Sequence, residues 1–423
     1  GSSSKKVDQG YIADVNCENI AITSHIYVAG NSNIGTSSTP GNNIYFDRFY
    51  GDGSNLTGIA AGVSSDNQYN TVAGTNAGDA FSGTSAVQNT LYGYNTGTDI
   101  TSGDYNTSVG FEAGMSVTTS EQNNCFGWKA GRLITTGEMN TALGSQCLNS
   151  LTTGSKNVAV GLSGTMITTA DQNTIVGHLS GNEITTGQGN TILGASAKVG
   201  STGSYNVVLG IGSGSSTLTG NYNILSGYLS GENLTTGEYN TLIGYEAGEA
   251  ITEKNNNIFI GNKAGENSNV HELIGIGRNT LSTATGTGYQ NIAIGNNAGQ
   301  SVQQGQYNVL LGSGSGNTLV NSSNNTAIGY YALAAGTTGG GNNTAIGWKA
   351  GYTGTNNLTT GSNNLLLGYN AAPSSATVSN EITLGDSNIT KLRIPGINVT
   401  LKDNGGTPTN GHVLTVDSNG EAG

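Results

Sequence analysis

Asn140-Thr141-Ala142-Leu143-Gly144 is the stretch that decides the fold, because its pattern of asparagine, threonine, two apolar residues and glycine returns all along the chain. It stands as Asn70-Thr71-Val72-Ala73-Gly74, Asn240-Thr241-Leu242-Ile243-Gly244, Asn325-Thr326-Ala327-Ile328-Gly329 and Asn343-Thr344-Ala345-Ile346-Gly347, with variants between. Marked by its closing glycine, the unit recurs nineteen times from Gly74 to Gly385, usually every 17 residues, with Gly275 or Gly277 closing the thirteenth. A fixed period of this kind marks a repeat architecture, in which one unit cannot bury its own apolar face and only the stack is stable.

A second signature follows each anchor glycine by about eight residues, as in Leu133-Ile134-Thr135-Thr136-Gly137, Glu183-Ile184-Thr185-Thr186-Gly187 and Asn233-Leu234-Thr235-Thr236-Gly237. Each unit thus carries two short β-prone runs closed by glycine, which supplies the positive φ of sharp corners. The expected fold is all-β: a parallel β-solenoid of about 17 residues per coil and about nineteen coils. At a strand spacing of roughly 4.8 Å it would form a rod on the order of 90 Å long.

The anchor asparagine recurs in seventeen of the nineteen units, failing only around Glu272 and at Glu381. Asn70, Asn106, Asn140, Asn173, Asn190, Asn240, Asn257, Asn291, Asn325 and Asn343 are representative members. Identical amides at strand spacing form a hydrogen-bonded ladder, so these residues read as structural.

Composition agrees with a solenoid and excludes other classes. Charged residues are 9% of the chain and glycine supplies 69 of its 423 residues, which disfavours helix. The periodic 34% of hydrophobic residues argues against disorder. A net charge of −12 with only 14 lysines and arginines argues against a nucleic-acid or anionic-membrane partner. No run of eighteen apolar residues is present, so no membrane insertion is expected. The start, Gly1 to Lys6, has no apolar segment behind it and does not read as a signal peptide. Cys17, Cys125 and Cys147 have neither metal-site nor disulfide-framework spacing and read as small buried apolar residues.

Both residues before each anchor glycine are apolar almost everywhere, as in Ile175-Val176, Ile192-Leu193, Phe259-Ile260, Leu310-Leu311 and Leu366-Leu367. Neighbouring strand residues face opposite ways, so one fills the coil and the other requires a partner surface along the rod. Lateral association follows, and three-fold closure is the economical form for a fibre.

The repeat resembles the head of YadA-like trimeric autotransporter adhesins, and is similar also to repeat regions of marine phage tail fibres, over roughly residues 66–385. The resemblance implies a left-handed β-roll in a homotrimer. Residues 1–65 then form an N-terminal attachment or capping segment, and Gly51-Asp52-Gly53-Ser54-Asn55-Leu56-Thr57-Gly58-Ile59 resembles a joint between tail-fibre modules. Residues 386–423 form a C-terminal β segment with strand-like runs at 391–394, 398–401 and 413–416. Its end, Leu414 to Ala422, resembles the segment before a C-terminal chaperone that such fibres remove.

The expected function is that of a structural and adhesive fibre subunit, extracellular, on a virion tail or a cell surface. Its expected partners are two further copies, a host cell-surface glycan or protein, and other fibre or tail proteins at the ends. A microbial surface adhesin and a fibre-borne polysaccharide depolymerase are the alternatives. Depolymerisation needs two carboxylates about 5 to 9.5 Å apart. Glu232 with Glu249 or Glu246, and Glu112 with Glu121, are the pairs that stacking would supply, but four histidines and 26 thinly spread acids make an enzyme the weaker reading. No cofactor and no metal are expected. Asp52 with Asn55, and Asp417 with Asn419, read as turn caps rather than cation ligands. Ice binding is disfavoured because each Thr-Thr pair presents one outward threonine.

The position after the anchor glycine is often aromatic: Tyr94, Phe111, Trp128, Tyr228, Tyr245, Tyr330, Trp348 and Tyr369. Such rings stack on sugar faces or pack between coils. Trp128, Trp348, Tyr94, Tyr228, Tyr245 and Tyr330 are therefore the candidate receptor-binding residues, with packing as the competing role. The irregular coils at 266–290 and the two ends are further candidates.

Overall fold

A computed structural model describes residues 64–81, 85–335 and 339–393, all within the second of two compact units, Ala60–Gly423. The N-terminal joint motif, Cys17, the two turn-cap pairs and the strand-like runs beyond Arg393 lie outside the described residues.

Nineteen three-residue strands, from Thr71–Ala73 to Ile382–Leu384, form one parallel sheet, each strand paired in register with the equivalent strand of the next coil. Thr141, Ala142 and Leu143, for example, face Val158, Ala159 and Val160. Ser64–Ser65 adds a short antiparallel strand against Thr71–Val72 and covers part of the first coil's edge. The remainder of each coil is turns and bends, and no helix occurs among the described residues.

The middle residue of each strand points into the coil, where Leu91, Cys125, Ile192, Leu242 and Leu366 are fully or almost fully buried. It meets an alanine or small residue from the following turn, such as Ala113, Ala130 or Ala247, and an aliphatic residue before the Thr-Thr pair, such as Ile134, Leu151 or Ile184. Burial pushes the Cys125 thiol up to about 12, with Cys147 nearby adding to the effect, as a small core residue requires. One volume exchange decides which glycine closes the thirteenth unit. Gly275 sits inside the coil, where a Cβ would come 2.8 Å from the Phe259 ring, while Gly277 occupies the corner.

The anchor asparagines form the expected ladder. Asn140 donates from Nδ2 to Asn123 Oδ1 at 3.0 Å and to Gly154 O at 2.9 Å, and its Oδ1 accepts the backbone N–H and the Nδ2–H of Asn157, both at 3.0 Å. Every donor and acceptor of the buried amide is satisfied, and the bond to Gly154 ties the end of the coil to its beginning. One ladder runs from Asn70 to Asn257 and ends on the backbone N–H of Leu273. A second runs from Asn291 to Asn364 and ends on Glu381 N–H. Asp66 begins the first: its carboxylate accepts both the N–H and the Nδ2–H of Asn70 at 2.8 Å. Partial burial pushes that carboxyl up, but the bonds from Asn70 outweigh it and hold it below its usual value.

Two expectations are corrected. The Thr-Thr-Gly run is not a second strand, because Thr135, Thr136 and Gly137 direct three successive N–H groups at the single carbonyl of Thr152, which turns the chain instead of extending it. The first threonine still joins the stack: the hydroxyls of Thr118, Thr135, Thr152 and Thr168 each donate to a carbonyl of the next coil. Nor does glycine hold all the left-handed corners. Residues such as Tyr105, Met139 and Lys156 before the anchor asparagine, and Glu112, Lys129 and Lys263 after the anchor glycine, adopt φ between 53° and 61°. Coil-to-coil bonds such as Met139 N–H to Glu121 O hold them there.

Candidate binding surface

Strand alternation leaves the first and third residues of the strands from Thr90–Tyr92 onward facing outward, so the threonine column and the second apolar column share one face. Leu143 is 47% exposed and Leu193 51% exposed, and Tyr92, Phe126, Ile243, Ile294 and Ile346 continue the column. No charged residue occupies an outward strand position anywhere in the sheet.

Just beyond the strand, the candidate aromatic residues form broken stacks. Tyr94 lies 5.2 Å from Phe111 and Tyr228 lies 5.5 Å from Tyr245, the rings nearly parallel and stacked in both cases. Trp348 is held between Tyr330 at 6.2 Å and Tyr369 at 4.8 Å. Trp128 stacks on no ring among the described residues: Ser145 takes this position in the next coil, and Phe111 in the preceding coil pairs with Tyr94. In both Trp-Lys-Ala-Gly motifs the left-handed lysine folds back over the preceding indole, with Nζ of Lys129 and Lys349 4.6 Å from the ring centre. The repeated motif is thus a local cation–π corner, and the two tryptophans are not equivalent.

Trp348→Ala is expected to lower stability by about 1 to 3 kcal/mol, the worth of two aromatic pairs. Trp128→Ala, which deletes a single-sided contact, should leave the melting temperature within about 1 °C to 2 °C of wild type. Thermal melts of the two variants side by side check this, and equal losses would refute the difference.

A second aromatic column stands immediately before the anchor asparagine and was legible as the recurring dipeptide Tyr-Asn at Tyr105, Tyr205, Tyr222, Tyr239 and Tyr307. Tyr205, Tyr222 and Tyr239 stack continuously at 5.2 and 5.3 Å. The left-handed backbone directs these side chains outward, where each is about half exposed.

Of the acidic pairs, the structure gathers Glu246, Glu249 and Glu266, whose carboxylate oxygens lie within 4.8 Å of one another. Lys263 bridges Glu246 and Glu266, and the hydrogen bonds it donates, to Glu266 first and then to Glu246, raise its amine pKa above the usual value. Glu249 makes no ion pair among the described residues; burial, followed by the charges of Glu246, Glu232 and Glu266, pushes its carboxyl up. Glu112 accepts from Arg132 at 2.7 Å, with Lys129 at 3.8 Å. Both groups read as ion-pair networks across the coils. No protein-family model, curated protein or solved structure matches this chain.

Proposed function

We propose that this chain is the subunit of an extracellular attachment fibre of the phage tail-fibre kind, three copies closing around a common axis as left-handed rolls. The observation that carries the reading is the outward sheet face. An uncharged strip of Thr, Val, Ile and Leu repeating along nineteen strands is far longer than the apolar patches of monomeric proteins. A partner that covers it must match the same strand spacing coil by coil, and a further copy of the chain does so at every coil. Three-fold closure gives each copy the same environment and leaves no open face. Adhesion then falls to side chains outside the strip, repeated on three copies, so that weak individual contacts sum to firm attachment.

Light scattering on the purified chain tests the assembly, with three times the 42.8 kDa chain mass expected. Leu193→Lys combined with Ile243→Lys places two charges on the strip and should yield monomers that keep the wild-type circular dichroism. A monomeric wild-type chain would remove the support for this reading. Fluorescently labelled fibre on a panel of bacterial isolates tests attachment, and a trimer that binds none of them would leave a structural rod without adhesive function.

A further inference from the structure

The asparagine ladder breaks at one place well inside the stack, and a depression of 420 Å³ opens beside the break. Leu273 replaces the ladder asparagine there, so Asn291 has no amide beneath it and turns Nδ2 to Gly288 O of its own coil, at 2.9 Å. Tyrosine also changes place. Tyr105, Tyr205, Tyr222, Tyr239 and Tyr307 directly precede their anchor asparagines, whereas this coil reads Tyr289-Gln290-Asn291, its tyrosine one residue out of register. As a result Tyr289 does not stack flat on Tyr307 but meets it edge-on, at 5.9 Å and 80°. Interruption of an otherwise self-consistent repeat at the expense of ladder bonds is expected where function requires it.

The groups around the depression form a complementary set. Tyr289 and Tyr307 supply apolar ring surface at right angles. His271 accepts the Asn255 N–H at Nδ1, 3.0 Å away, which places the neutral ring's proton on Nε2 as a donor. Lys254 adds a second donor. Glu272 is held by Gln290 Nε2 at 2.7 Å, leaving its second oxygen and the Gln290 carbonyl as acceptors. The volume falls within the roughly 300–1,000 Å³ of small-molecule sites. A ligand that uses such a set has one apolar face and adjacent groups that both donate and accept hydrogen bonds. Hydroxyl pairs on a pyranose ring have this character.

We propose that this depression is a saccharide-binding site taking a pyranose unit of a cell-surface polysaccharide, with one of Tyr289 and Tyr307 against the ring face, the other against its edge, and Lys254, His271, Glu272 and Gln290 on its hydroxyls. The assignment deepens the reading of the chain as an attachment fibre and rests on it. It places recognition on the coil that departs from the repeat, away from the tryptophan corners.

The labelled full chain applied to a printed array of bacterial oligosaccharides tests it. Wild type binds at least one saccharide class; Tyr289→Ala and His271→Ala bind it about tenfold or more weakly. Tyr222→Ala, which removes a half-exposed stacked tyrosine of the regular Tyr-Asn column away from the depression, binds as wild type. Melting curves confirm that all three variants fold. Absence of binding to any printed saccharide, or equal losses from Tyr222→Ala and Tyr289→Ala, overturns the site. On whole cells, Tyr289→Ala fibre that attaches like wild type also overturns it while leaving attachment intact, whereas wild-type fibre that attaches to no cell overturns the attachment reading itself.

Discussion

Gly244→Ala is expected to destabilise the solenoid on the order of 4 kcal/mol, a large effect for the addition of one methyl group. Gly244 holds φ at +140°, outside the range of ordinary L-residues, and a Cβ there would lie 2.2 Å from the carbonyl oxygen of Gly261 in the next coil. Neither strain relieves the other. Rotating φ away breaks the corner, and moving the neighbouring coil breaks the pairing of Thr241–Ile243 with Ile258–Ile260. Gly354→Ala provides the internal comparison: φ is +92°, but nothing lies within 4 Å of the added carbon, so only the backbone term applies. Because each coil contacts only its neighbours, the damage should concentrate at one interface. Limited proteolysis of Gly244→Ala is expected to cut near residues 244–261, together with a lowered first transition in thermal melts; an uncut chain with a wild-type melt would contradict the close-approach account.

The same residues show how far the fold was legible. Asparagine and glycine recur because each meets its own copy one coil away, and any requirement of that kind prints itself on the sequence as a period. The parallel stack, the ladder from Asn70 to Asn257 and from Asn291 to Asn364, and the outward second apolar residue were readable for this reason. Features that depend on a different neighbour were not. Thr135-Thr136-Gly137 has the composition of a strand, but the convergence of its N–H groups on Thr152 is invisible in composition. Tyr105 and Met139 adopt left-handed backbone because the coils above and below hold them, against their own preference. Trp128 and Trp348 sit in identical tetrapeptides, and what separates them lies a full coil away: Tyr330 and Tyr369 stack on either side of Trp348, whereas Ser145 follows Trp128 and Phe111 before it pairs with Tyr94. The saccharide-site proposal draws on the same distinction. The stretch around 266–290 was recognisable as irregular, but a one-residue displacement of Tyr289 acquires meaning only when Tyr307 is seen edge-on to it.

Asn140→Asp, a change of one atom, is expected to cost about 3 to 5 kcal/mol at neutral pH and to invert the pH response of the stack. Asn140 is fully buried, and its Nδ2 donates to Asn123 Oδ1 and Gly154 O. An ionised carboxylate would still accept from Asn157, but its second oxygen would face two acceptors with no proton to give either. The neutral acid restores one of those bonds, so the folded state raises the carboxyl pKa above the roughly 3.9 of an unfolded aspartate. Between the two values the folded chain binds more protons than the unfolded one, so stability falls as pH rises from about 3.9 through the raised folded value. Asp66 provides the natural counterpart. At the start of the ladder only an acceptor is required, the carboxylate takes both bonds from Asn70, and its pKa is lowered. Its contribution to stability is therefore present above about 3.9 and lost as pH falls below it. Melting temperatures of the wild type, Asn140→Asp and Asp66→Asn from pH 3 to pH 8 separate these cases. The Asn140→Asp gap should be widest at pH 8 and narrow toward pH 3 because the variant itself loses stability as pH rises, while Asp66→Asn, which replaces the oxygen that accepts the Asn70 Nδ2–H, should lack the wild-type loss of stability as pH falls below about 3.9. A gap for Asn140→Asp that does not change with pH would mean that lost geometry, rather than buried charge, sets the cost, and that the ladder tolerates an unmatched pair of acceptors.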